Sequence, residues 1–152
     1  MGRRGTRPAL VLAVAAALLS VPVAQATPPT IVPAPSFDFT DTTSCGFDVH
    51  IHYTANHETA KIFSNGTIIV TGPLAATFSA DNGKSVTLNI RGPATIKGES
   101  AIGHGVGAGL TLLPDGQTTL AYNAAGAVDI SGPVGVLVHG HMLLDICAAL
   151  AS

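Results

Sequence analysis

Over residues 47–53 every second position is apolar. Phe47, Val49, Ile51 and Tyr53 fall on one side of the chain, and Asp48, His50 and His52 on the other. A period of two marks a half-buried β-strand, because successive side chains leave a pleated backbone on opposite faces. Residues 84–91 repeat the pattern, with Val86, Leu88 and Ile90 opposed to Ser85, Thr87 and Asn89. Between these runs, Lys61-Ile62-Phe63 and residues 67–71 flank Asn65-Gly66. Asn-Gly between apolar runs predicts a hairpin with a type I′ turn, both of whose central residues need positive φ. Asp81-Asn82-Gly83 and Asp115-Gly116 predict two more turns of this kind. Further strands are predicted over 74–80, 108–113, 118–123, 127–131, 134–139 and 142–146.

Strands at this spacing, without a convincing amphipathic helix, predict an all-β fold. Gly72-Pro73, Gly92-Pro93 and Gly132-Pro133 each follow a β-like run. Proline cannot donate a ladder hydrogen bond, so each pair is expected to bend or end a strand, as in a meander of hairpins. Two cysteines, Cys45 and Cys147, bracket these strands. In an oxidising compartment an even pair is most simply a disulfide. The competing readings are weaker: a metal site lacks C-x-x-C spacing, and a reactive thiol leaves its partner unexplained. If bonded, the cysteines bring the first and last strands together, which would close a small antiparallel up-and-down β-barrel. A β-sandwich is the alternative.

The N-terminus reads differently. Arg3, Arg4 and Arg7 precede an apolar run over 9–19, then Pro22 and Ala24-Gln25-Ala26. Positive n-region, short apolar h-region and small-residue cleavage site are the three parts of a secretory signal peptide, here residues 1–26 with the mature chain from Thr27. An N-terminal membrane anchor is the alternative, but the run is short for a span. The residues after Arg3-Arg4 lack the apolar pair of a twin-arginine signal, so general secretion is expected. Residues 27–36 carry Pro28, Pro29, Pro33 and Pro35 and read as an extended tether; residues 37–152 form one β domain. Secretion, extracellular or to the cell wall, follows as the expected location.

Excluding residues 1–26 changes the charge. Lys61, Lys84, Arg91 and Lys97 stand against nine carboxylates, so four positive and nine negative charges leave −5. An acidic domain without clustered Lys and Arg does not suit nucleic acid or an anionic membrane surface. Abundant Ala and Gly with no Trp resembles, in style, small secreted proteins of actinobacteria, a likeness that implies no activity.

Histidine is the one constellation with chemical promise. His50/His52 and His139/His141 form two His-x-His pairs. On a strand, residues i and i+2 face the same way, so each pair offers two imidazoles of the kind that bind zinc or copper. Were Cys45 and Cys147 directly opposite in a regular antiparallel pair, the two His pairs would face opposite sides. A bulge, for which Gly140 is the natural site, would reverse that parity. His139-Gly140-His141 followed by Asp145 resembles the first cupin motif, in which two histidines and a later carboxylate hold a metal inside a β-barrel. The likeness spans seven residues, has Asp145 where the motif carries Glu, and is not followed by a second motif.

Other templates are thinner. There is no Gly-x-Ser-x-Gly elbow. Asp48 near His50, and His57-Glu58, are the adjacent acid–base pairs, of a kind usually just solvated. The run Gly103-His104-Gly105-Val106-Gly107-Ala108-Gly109 lacks the Lys-Ser/Thr of a P-loop and leads into a predicted strand. It reads as a bulged segment whose glycines let a ligand or neighbouring backbone approach closely. Two functions follow as expectations. One is a secreted, non-catalytic barrel that binds an extracellular small molecule, glycan or protein without a cofactor. The other is a zinc- or copper-binding protein using His50, His52, His139 and His141.

Overall fold

The computed structural model describes residues 27–113 and 115–151; the signal-peptide reading of residues 1–26 lies outside them. Eleven strands and one short helix build two sheets. The smaller sheet holds β2 (Phe39–Asp41), β3 (Val49–Asn56), β6 (Leu74–Ala80) and β7 (Ser85–Asn89) in the order β2-β3-β6-β7, all antiparallel. The larger holds β1 (Thr30–Pro33), β4 (Thr59–Ile62), β5 (Thr67–Thr71), β8 (Ala94–Lys97), β9 (Ser100–Leu112), β10 (Thr118–Asp129) and β11 (Gly135–Asp145), ordered β1-β4-β5-β8-β9-β10-β11. β11 also meets β9 in parallel at Gly135↔Thr111 and Val136↔Leu112, so β9, β10 and β11 close on one another. The chain thus forms the expected all-β antiparallel barrel, elaborated by extra strands and tied by a Cys45–Cys147 disulfide with its Cα atoms 5.1 Å apart.

Alternation places the core. Val49 and Ile51 of β3, with Ala76, Phe78 and Ala80 of β6, turn inward, where Ile90, Leu120, Ile146 and Leu150 meet them. The odd/even pattern of β3 therefore faces the apolar side inward, as its sequence requires, while His50 and His52 stay exposed.

The three predicted hairpins form, with a different turn. Phe63 N–H donates to Thr67 O and Gly66 N–H to Phe63 O, the pattern of a three-residue loop rather than the two-residue type I′ connection. Ala80/Lys84 and Leu113/Gln117 repeat it. In each, the residue before the glycine, Asn65, Asn82 or Asp115, accepts from the N–H just after the glycine. That local bond favours the longer loop and leaves one positive-φ position, filled by Gly66, Gly83 and Gly116 at φ 81, 84 and 84°.

Three departures from the sequence reading matter for the site. Residues 30–33 are extended and exposed, as read, but they ladder onto β4 as an edge strand, a place where proline is tolerated. The runs predicted separately over 118–123 and 127–131 are one strand, β10, as are those over 134–139 and 142–146 in β11, each carrying irregularities. Finally, β3 and β11 belong to different sheets, so the disulfide does not pair first and last strands. Cys45 precedes β3, and Cys147 lies in a terminal helix, α1 (Ile146–Ala151). Asp145 starts that helix: its Oδ1 accepts from Ala148 N–H at 3.0 Å and from Thr119 Oγ1 at 2.8 Å. Ile146 and Leu150, one turn apart, then fall on the buried side.

Candidate functional site

The His pairs occupy separate sheets. His50 and His52 project from the exposed face of β3, and His139 and His141 lie exposed on β11. No group of three or more His, Cys, Asp or Glu side chains gathers as a metal cage among the described residues. The bulge anticipated at Gly140, in a pairing with the His50/His52 strand, does not arise because those strands do not pair; an irregularity lies instead in the pairing of β11 with β10. Ala124 pairs with His141 and Ala127 with His139, which leaves an extra residue on β10. A Cβ on Gly126 would collide with the His139 carbonyl oxygen, so the bulge requires a residue without a side chain there. Asp145, the third member of the cupin-like pattern, is engaged in capping α1.

His50 and His52 instead find carboxylates that their sequence neighbours did not indicate. His50 Nε2 lies 2.8 Å from Asp81 Oδ1 and its Nδ1 lies 3.1 Å from Thr40 Oγ1. His52 Nδ1 lies 2.5 Å from Asp38 Oδ2, and Asp38 Oδ1 accepts the Tyr53 N–H. The hydrogen bond from His52, then that from Tyr53, holds the Asp38 carboxyl below its ordinary range. Asp48 takes no part. The Thr40–His50–Asp81 chain has the order of a hydroxyl–imidazole–carboxylate relay, but it stands on an exposed strand face with 83% of the Asp81 side chain in solvent. Water screens such pairs, and neither cavity described next includes them.

The main concave feature among the described residues lies elsewhere. A cavity of about 270 Å³ is bounded by Tyr53 of β3 and Leu74 of β6 on one side and by β8, β9, β10 and Gly135 on the other. The glycine-rich run over 103–109 forms its long wall, as β-strand rather than as a phosphate loop. Gly92 explains how two chain segments meet at this wall. A Cβ there would overlap the carbonyl oxygens of His104 and Val106, so only glycine lets the chain cross β9 so closely. Gly105, at φ 79°, forms the matching kink in β9 beside Gly92 and Pro93. The run was expected to let a neighbouring backbone approach, but the glycine that the approach requires is Gly92, outside the run; a Cβ on Gly107 or Gly109 would meet nothing within 4 Å.

Polar groups in the wall are few. Asn123 is 4% exposed; its Nδ2 donates to Thr111 Oγ1 at 3.0 Å, and Thr111 Oγ1 donates onward to Gly109 O at 3.0 Å. Asn123 Oδ1 is buried and has no hydrogen-bond partner among the described residues. Glu58 and Tyr53 form another part of the lining. Burial pushes the Glu58 carboxyl up. Burial likewise raises the Tyr53 phenol, helped by the nearby charges of Glu58 and then Asp38. Tyr53, Glu58 and Leu74 also bound a second hollow of about 220 Å³ with Phe37 and Phe39, so Glu58 stands where the two spaces share a wall. Sequence reading singled out the glycines, and noted Glu58 only as the neighbour of His57, but missed Asn123 and Thr111; single polar residues inside alternating strands carry no motif.

Compared with known proteins, the chain matches no family model, no curated protein and no solved structure.

Proposed function

We infer that this is an exported binding module, a rigid barrel that receives a small, mainly apolar molecule in the cavity against β9. The observation that carries the reading is the cavity itself: about 270 Å³, bounded by both sheets and walled by glycine backbone. Its size is near the lower end of the roughly 300–1,000 Å³ typical of ligand pockets, which suits a one-ring or short-chain molecule. Glycine walls leave backbone close to whatever occupies the space. The disulfide is compatible with an oxidising compartment. With the n-region, h-region and Ala24-Gln25-Ala26 site, it supports secretion with Thr27 as the first mature residue.

The test is a titration of the oxidised, exported protein with toluene and benzyl alcohol, followed by amide NMR. Binding in the cavity shifts the amides of residues 103–111 and Asn123 saturably. Shifts confined to the exposed face of β11, or none at all, would remove the cavity as the site. N-terminal sequencing of protein from the culture medium tests export; retention of residues 1–26 in the cell membrane would refute it.

A further inference from the structure

Asn65-Gly66 joins β4 to β5 and Asn82-Gly83 joins β6 to β7; the sequence has no other Asn-Gly. An asparagine before glycine is open to attack by the following backbone nitrogen, because glycine sets no Cβ beside that nitrogen. In Asn65 the Gly66 nitrogen would bond to Cγ, and the Cγ–Nδ2 bond would break. The side-chain nitrogen leaves as ammonia, carrying the proton of the Gly66 N–H, and a cyclic imide remains. Water then opens the imide at either carbonyl, giving aspartate or isoaspartate. Water is the only co-reactant.

The two turns are matched in every respect but one. Gly66 N–H donates to Phe63 O and Gly83 N–H to Ala80 O, both at 3.0 Å. Asn65 Oδ1 accepts from Thr67 N–H and Asn82 Oδ1 from Lys84 N–H, again both at 3.0 Å. All four residues are exposed, and a Cβ on either glycine would meet nothing within 4 Å. These shared bonds slow the attack equally. The difference lies at the leaving nitrogen. Asn82 Nδ2 donates to Leu150 O of α1 at 2.7 Å, and Leu150 is 1% exposed. Asn65 Nδ2 has no hydrogen-bond partner among the described residues. To turn Cγ toward the glycine nitrogen, Asn82 must break two side-chain bonds and Asn65 one.

We propose that Asn65 is a site of spontaneous covalent modification, converted through the imide to aspartate and isoaspartate, and that the Leu150 carbonyl protects Asn82 from the same reaction. The product adds a negative charge to the β4–β5 turn. In the isoaspartyl form the main chain runs through the former side chain, so the Thr67 N–H loses its present acceptor. The protection of Asn82 depends on the disulfide, because Cys147 and Leu150 share α1. This inference is independent of the cavity.

Peptide mapping by mass spectrometry, after incubation of the oxidised protein at mildly alkaline pH, follows both turns in one sample. Conversion at Asn65 is expected to run about fivefold faster than at Asn82, the rate equivalent of one net hydrogen bond. Paired aspartyl and isoaspartyl forms of the Asn65 peptide mark the imide route; an aspartyl form alone would mean direct hydrolysis and overturn it. Equal rates at the two turns, faster conversion at Asn82, or no conversion at either overturns the assignment. This comparison needs no variant. The variant Cys45→Ala/Cys147→Ala, held below its melting temperature, then tests the protection. Asn82 should accelerate toward the rate of Asn65 while Asn65 keeps its own, and any other pattern overturns Leu150 as the protecting group.

Discussion

Asn123 of β10 and Thr111 of β9, four positions apart in the ladder, are joined by a buried bond of 3.0 Å from Nδ2 to Oγ1, and the bond uses only one of the two polar atoms of the Asn123 amide. The asymmetry sets the signs of two substitutions. Thr111→Val removes the acceptor for Nδ2 and the donor to Gly109 O, so buried polar groups are left unpaired at a cost of about 1–3 kcal/mol. Asn123→Leu, similar in volume, removes the donor and the unpaired oxygen together and should change stability by less than about 1 kcal/mol. Urea unfolding of both variants checks this. Equal destabilisation by the two would mean that Oδ1 is satisfied in solution.

The disulfide ties the loop before β3 to α1 across 102 residues of sequence. In the chain-entropy model a loop of that size is worth on the order of 4–5 kcal/mol, reached by restricting the unfolded chain. The paired change Cys45→Ala/Cys147→Ala should therefore lower unfolding stability by several kcal/mol and loosen α1 before the strands. Hydrogen exchange reads this directly: faster exchange at Ala148–Leu150 with protected β6 is the expected pattern. Uniform acceleration would show that the bond supports the whole barrel.

Much of the fold was legible because side-chain period and turn chemistry are local. Val49, Ile51, Val86 and Leu88 declare their faces within a few residues, and Asn-Gly declares a hairpin. What stayed hidden depends on partners distant in sequence. Nothing near Cys45 indicates that Cys147 sits on a helix, because six apolar residues fit a strand end as well until Asp145 caps them. Nothing near His50 points to Asp81, 31 residues away, or near His52 to Asp38, 14 residues away. The cavity was half legible: the glycine run of 103–109 marked its wall, but the glycine that the close approach requires, Gly92, lies outside that run, and Asn123 announced nothing.

The two His pairs, on separate sheets, should act independently toward metal. In zinc titrations, His139→Ala/His141→Ala should leave any binding at His50 and His52 unchanged, and the reverse substitution should leave any binding at β11 unchanged. Asp38→Asn should alter only the first. Loss of all binding on removal of either pair would instead require a shared centre, and would show that the sheets rearrange to bring β3 and β11 together.

Glu58 gives the pH dependence a sign opposite to that of the other shifted carboxylates. Asp38, held down by its bonds to His52 and the Tyr53 N–H, and Asp129, held down by its bonds to Ser131, are acidified by folding. Their contributions are present above the unfolded carboxyl range and disappear as pH falls through their lower folded values. Glu58 is raised by burial, so between its unfolded and folded values the native state binds more protons than the unfolded one. Its effect is therefore a loss of stability as pH rises from roughly 4 upward. Glu58→Gln should remove that loss: the variant should melt higher than wild type near pH 7 and converge with it near pH 4. Melting curves of wild type and variant at both pH values contain the whole test. If Glu58→Gln lowers the melting temperature at pH 7 without ligand, the carboxylate already has a native partner and is not an open acceptor.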